Sequence, residues 1–231
     1  MKTIGVIGGM AWPSTVSYYQ HINRLITQKL GPEHCATLVL VQTDFDQIKA
    51  WGDNDQWDKV GEAVVSLTQQ LERAGADFFV IACNTVHGTL PPIISSINLP
   101  ILHIVDATSK KIQSYGFQTV GLIGSIQTMT GDYFRGRLLD NYGITAITPA
   151  KEQQEMLHET LDHELLRGIF TDEAKVKFQK VIDDLLAQGC EAIILGCTEF
   201  GLLLDADKSP VPMIDTLVQH TEATVELALS E

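Results

Sequence analysis

The sequence predicts an α/β protein built as two pseudo-symmetric lobes, each a parallel sheet flanked by helices. Three observations carry this. Short β-branched runs alternate with segments of helical period. The strand-like runs are apolar at nearly every position, as strands covered on both faces tend to be. Motifs of the first half return, in the same order, in the second.

Taken in order, Ile4-Gly5-Val6-Ile7 reads as a buried strand. A helix then opens near Pro13, a residue tolerated in a first helical turn, with Val16, Tyr19, Ile22, Ile26 and Leu30 along one face. Thr37 to Val41 is the next strand. From Asn54 a second helix carries Trp57, Val60, Val64, Leu67 and Leu71 on its apolar stripe and ends near Gly75. Phe78 to Ala82 is a third strand. Strands alternating with helices predict parallel pairing with helices on both faces of the sheet.

The repeat is visible in three places. Ile4-Gly5-Val6-Ile7-Gly8 is echoed by Val120-Gly121-Leu122-Ile123-Gly124, Ile81-Ala82-Cys83-Asn84-Thr85 by Leu195-Gly196-Cys197-Thr198-Glu199, and Leu99-Pro100-Ile101-Leu102 by Val211-Pro212-Met213-Ile214. The offsets are 116, 114 and 112. Gly-rich turns recur in any α/β protein, but a cysteine at the same place in both halves does not. Two similar lobes with one cleft between them are expected.

Composition narrows the function. The chain has 231 residues with 45% hydrophobic and 19% charged side chains, which excludes wholesale disorder. Its net charge of -13 repels nucleic acid and anionic membrane, since phosphate binding needs clustered Lys and Arg. A small anionic ligand is still allowed where a local cation meets it. Four cysteines, Cys35, Cys83, Cys190 and Cys197, with no CxxC pair, argue against a disulfide framework or a zinc site and for reduced thiols in the cytoplasm. No apolar run approaches a membrane span. The glycine-rich start reads as strand and helix rather than as a signal peptide.

Cys83 and Cys197 each follow a buried strand and precede small polar residues. In open α/β sheets ligands bind beyond the carboxyl ends of the strands, where backbone N–H groups favour a thiolate. A single such cysteine reads as a small core hydrophobe; two at matching points of a repeat read as a site. Cys35 and Cys190 precede strands and read as structural. Two thiols on opposite faces of one carbon suit inversion of a stereocentre, which needs a base on one side and an acid on the other. With an ordinary pKa near 8.5, cysteine needs little tuning for either role.

At these residues the chain resembles the aspartate/glutamate racemase family, the cofactor-independent amino-acid racemases. The resemblance covers essentially the whole chain. It rests on Gly8-Gly9-Met10-Ala11-Trp12 with Ser14-Thr15 and Tyr18-Tyr19, on Cys83-Asn84-Thr85-Val86-His87, on Thr128-Met129 with Phe134-Arg135-Gly136-Arg137-Leu138, and on Gly196-Cys197-Thr198-Glu199. It implies that Cys83 and Cys197 are the acid/base pair, that neither pyridoxal phosphate nor a metal is used, and that the protein is a homodimer. It also implies a discontinuous first lobe, residues 1–103 plus 213–231, around a second lobe, 104–212. Ala11 and Pro13 depart from relatives, which often carry Ser and Glu there. Relatives with threonine for the first cysteine lose symmetry between enantiomers, whereas this chain keeps Cys83.

An acidic amino acid brings two carboxylates and an ammonium. Asn84, Thr85 and Thr198 stand where an α-carboxylate would lie, although the same side chains also suit helix caps. The family suggests that Met10 and Gln47, on loops after the first two strands, line the pocket, with Thr128 as the second-lobe counterpart. For the distal carboxylate the candidates are Lys49, Arg135, Arg137 and Arg167; relatives favour Lys49 and Arg167. His87 reads as orienting the turn after Cys83, as tuning its thiol, or as a helix-surface histidine. Glu199 reads as a partner of the ammonium or of Thr198, or as a first-turn carboxylate. His158 and His163 match no metal-ligand pattern.

Four alternatives are weighed. A maleate isomerase, hydantoin racemase or arylmalonate decarboxylase also uses strand-end cysteines in duplicated lobes. A small-molecule-binding protein that has lost the chemistry would have little reason to keep both thiols. A nucleotide-binding module lacks the full G-x-G-x-x-G pattern, and a cysteine hydrolase would leave the second thiol unexplained.

Overall fold

Strand β1 (Ile4–Gly8) is buried at every position and takes the centre of the first sheet. The computed structural model describes residues 1–206 and 209–230. The chain divides into two units, Met1–Ile104 with His220–Glu231, and Val105–Gln219. In the first, β1 leads to α1 (Trp12–Leu30), β2 (Leu38–Gln42), α2 (Phe45–Asp53), α3 (Trp57–Arg73), β3 (Phe78–Ile81), a 3₁₀ turn at Thr85–Thr89 and the short α4 (Leu90–Ile93). After α5 (Ile104–Ser114) come β4 (Thr119–Gly124), α6 (Ile126–Thr130), α7 (Asp132–Tyr142), β5 (Thr145–Ile147) and α8 (Lys151–His163). A 3₁₀ turn at Leu165–Arg167, α9 (Asp172–Ala187), β6 (Ile193–Gly196), α10 (Thr198–Leu203), β7 (Met213–Asp215) and α11 (Thr216–Leu229) complete the chain.

The two sheets have strand orders β2-β1-β3 and β5-β4-β6-β7, and every pairing is parallel. The α/β expectation holds, and so does the repeat. Phe79 N–H donates to the Pro100 carbonyl at 2.9 Å, and Ile193 N–H donates to the Pro212 carbonyl at 3.0 Å. At the strand starts, Thr3 N–H donates to the Asp77 carboxylate at 2.6 Å, and Thr119 N–H to that of Glu191 at 2.9 Å. In the first unit the Leu99–Leu102 segment makes a single parallel bridge, Phe79 to Ile101. Its counterpart extends into β7, which pairs with β6 as an edge strand; the sequence-based division placed these residues with the first lobe.

Each sheet buries a period-two face against helices. Ile7, Phe79 and Ile81 pack with Val60, Val64, Leu67 and Leu71 of α3 and Ile48 of α2. Ile123, Ile193 and Leu195 pack with Phe178, Val181, Ile182 and Leu185 of α9 and with Leu157 and Leu161 of α8. Burying each such side chain stabilises by about 1.5–3 kcal/mol. Among the described residues no helix is long and apolar enough to cross a membrane.

Two local expectations fail. The buried face of α1 is Ser14, Thr15, Tyr18, Ile22 and Ile26, while Val16, Tyr19 and Leu30 are exposed. Tyr18 takes the core position because its hydroxyl finds a buried partner, His220 Nδ1, at 2.7 Å. Residues 45–53, assigned to no helix from the sequence, form α2, capped by the Asp44 side chain on Asp46 N–H. A helix of nine residues with one buried side chain leaves almost no periodic signal.

Candidate active site

Parallel pairing sets the carboxyl ends of neighbouring strands side by side. Thr43 N–H donates to the Gly8 carbonyl at 3.3 Å and Ala82 N–H to the Ile7 carbonyl at 2.9 Å, so the segments after β1, β2 and β3 share one edge of the first sheet. Cys83, Asn84 and Thr85 stand there, all half-buried. The chain continues as a 3₁₀ turn rather than as an α-helix.

His87 is fully buried beneath this turn. Its Nδ1 lies 2.8 Å from the Cys83 carbonyl, and Ile104 N–H points at its Nε2 from 3.4 Å. A carbonyl only accepts and an N–H only donates, so these two contacts suit the tautomer with its proton on Nδ1. The same logic applies to His220, whose Nε2–H donates to the Leu102 carbonyl at 2.9 Å and whose Nδ1 accepts from Tyr18. The His87 ring meets His103 edge-on at 4.7 Å between centroids and His220 at 5.8 Å. The turn-orienting reading of His87 fits this geometry. The parts played by His103, His220 and Tyr18 were missed.

The other residues of the first half-site lie as follows. Met10 is 5% exposed and belongs to the apolar cluster under the sheet. Gln47 is on α2, not on a loop, and is exposed. Lys49, exposed on the same helix, pairs with Asp53 at 3.1 Å.

In the second unit Cys197 follows β6 directly and takes the N-cap position of α10. It is half-buried, as is Thr198. Glu199 turns back toward its own thiol: the Cys197 Sγ–H donates to Glu199 Oε2 at 2.9 Å, and Glu199 is 7% exposed. Thr128 is on α6 rather than on a loop and is fully buried. Its hydroxyl accepts from Ser125 at 3.1 Å and meets the Tyr133 hydroxyl at 3.0 Å. Ser125 Oγ in turn accepts Thr128 N–H and caps the helix.

Sequence reasoning also passed over Asp215, at the end of β7. Its Oδ1 accepts from Leu217 N–H at 2.8 Å and from Val218 N–H at 3.4 Å. Burial, with a further push from the Glu199 charge, raises its carboxyl from 3.8 to about 6, against the pull of those two backbone bonds. The signal available was an Asp preceding a Thr at a helix start, an ordinary cap.

The cations separate. Arg137 is held by Asp106 through two bonds, Nε–Oδ1 at 2.6 Å and Nη2–Oδ2 at 2.7 Å. Arg135 is exposed on α7, and Arg167 is exposed at the end of its 3₁₀ turn. Among the described residues no group of three or more His, Cys, Asp and Glu side chains is placed to hold a metal ion. None of the four cysteines is in a disulfide; Cys35 is exposed and Cys190 buried, with burial pushing the Cys190 thiol up.

Solved structures match this fold across the whole chain. A crystal structure from Yersinia pestis, provisionally assigned to the Asp/Glu racemases, superposes with a TM-score of 0.94 at 36% identity, covering 100% of both chains. An aspartate racemase homologue from Pyrococcus horikoshii OT3 superposes with a TM-score of 0.86 at 28% identity, again over 100% of both. The broad specificity amino-acid racemase of Bacillus subtilis (strain 168) is 24% identical over 98% of each chain. The family model for Asp/Glu/hydantoin racemases matches residues 7–224, and the chain belongs to that family.

Proposed function

We propose that this protein interconverts the L and D forms of aspartate, glutamate or both, with Cys83 and Cys197 as a two-base pair and without pyridoxal phosphate. One thiolate removes the α-proton while the opposing thiol donates its own to the other face of the carbon, and the roles exchange in the reverse direction. The observation that carries this reading is positional. The two cysteines stand just beyond β3 and β6, corresponding strands of two sheets with the same core order. Thr198, Asn84 and Thr85 are half-buried beside them and suit an α-carboxylate.

A broader amino-acid range is the second reading, favoured by the Bacillus subtilis relative, whose match spans nearly all of both chains. Here Lys49 and Arg137 already have carboxylate partners.

The test is α-proton exchange in deuterated water. Dialysed protein is incubated with L-aspartate, L-glutamate and a panel of neutral amino acids, and α-deuterium and optical rotation are followed together. Exchange with inversion of an acidic amino acid supports the first reading, and equal turnover of neutral ones the second. Cys83→Ser and Cys197→Ser should each slow turnover at least about a hundredfold. Wild-type turnover in either would remove that cysteine from the mechanism.

A further inference from the structure

We infer that Asp215, acting through Glu199, keeps Cys197 protonated in the resting protein, so that Cys197 enters the reaction as the proton donor and Cys83 takes the first proton. The inference rests on the racemase reading above and adds to it a direction and a positioning residue.

Three carboxyl and thiol groups meet at the end of β6. The Cys197 thiol donates to Glu199 Oε2 at 2.9 Å. Glu199 is 7% exposed, so its carboxylate is largely cut off from bulk water. Asp215 reaches the same helix from β7: its Oδ2 lies 2.6 Å from where a Cβ on Gly201 would stand. Gly201 is two residues beyond Glu199, and any larger residue there would push the carboxyl away. Asp215 cannot swing clear, because its other oxygen caps the start of α11 on Leu217 and Val218.

Losing the proton from Cys197 would place a further negative charge near the buried Glu199 and the half-buried Asp215, and like charges at close range disfavour ionisation. The mutual effect of the acids is visible in Asp215, whose carboxyl rises partly through the charge of Glu199. Backbone N–H groups at the start of α10, whose N-cap is Cys197, favour the thiolate, and the acids oppose them. Strands β6 and β4 carry no ionisable side chain. In the 3₁₀ turn before α9, Arg167 is exposed, and the preceding Glu164 accepts a hydrogen bond from Thr171 at 3.1 Å. The first ionisable group along α11, His220, is occupied by Tyr18 and the Leu102 carbonyl.

Cysteine alkylation tests this without substrate. The full chain is labelled with iodoacetamide across a pH series, and peptide mass spectrometry follows each cysteine separately. In Glu199→Gln the labelling midpoint of Cys197 should fall by about 1–2 pH units, the usual effect of removing an adjacent like charge. In Asp215→Asn it should fall by less, and the double variant should fall by less than the two shifts combined. Exposed Cys35 serves as the internal reference and should not move. Asp215→Asn and Asp215→Ser both retain a capping oxygen, so one can stand in if the other fails to fold. A Cys197 midpoint unmoved by loss of the Asp215 charge would overturn the inference. That result leaves the racemase reading intact where the wild type exchanges its α-proton, and failure of exchange tells against that reading whatever the labelling shows.

Discussion

The Cys83 carbonyl and His87 Nδ1 are 2.8 Å apart, and this bond ties the turn carrying the first thiol to a buried set of rings. His87→Ala would remove both of its backbone contacts and a buried ring, at a cost of about 2–4 kcal/mol. His87→Asn places an amide N–H near the Nδ1 position and should recover part of both the loss in melting temperature and the loss in α-exchange rate. Equal behaviour of Ala and Asn would show that the bond does not hold the turn.

Asp215 gives stability a signature in pH. Its folded value, about 6, lies above the ordinary 3.8, so the native state binds this proton more tightly than the unfolded chain does. That contribution is fully present below the ordinary value and is lost as pH rises through the folded one. Relative to Asp215→Asn, the wild type should lose about 2–3 kcal/mol between about pH 4 and 7. Denaturant melts of the two proteins across that range check this; parallel curves would refute it.

Three of the four cations should divide by kinetics. Arg137 is committed to Asp106, so Arg137→Ala should cost about 1 kcal/mol of stability, the pair being part-exposed, and leave KM for acidic substrates nearly unchanged. Lys49, whose pair with Asp53 is exposed and weak enough for a substrate carboxylate to displace, and Arg167 should each, on replacement by Ala, raise KM for aspartate or glutamate about tenfold, with kcat less affected. Unchanged KM in both would move the distal-carboxylate site elsewhere.

The face of α1 can be checked by melting. Tyr18→Phe removes a buried hydrogen bond to His220 and should cost about 1–2 kcal/mol. Ile22→Ala should cost about 2–5 kcal/mol. Val16→Ala, at an exposed position, should stay within about 0.5 kcal/mol. Comparable losses at Val16 and Ile22 would restore the face expected from periodicity.

The sequence was enough for the first three strands, their parallel pairing, the repeat and the position of both cysteines at strand ends, though not for β5. These follow from spacing within a few residues and from motifs that recur at a nearly constant offset, and both survive in one dimension. It was also enough for the buried stripe of α3, where apolar side chains recur at three and four residues over a long helix.

Only the tertiary structure decided which face of α1 is buried, what backs each thiol, and which arginine is already paired. Tyr18 and His220 are 202 positions apart, and His220 and Leu102 are separated by 118. Glu199 is close to Cys197 in the chain, yet whether it faces solvent, a neighbouring threonine or the thiol depends on burial by the rest of its unit. Side-chain periodicity reports that a residue is covered, but not by what. A buried polar group is defined by its partner, and that partner is chosen by folding.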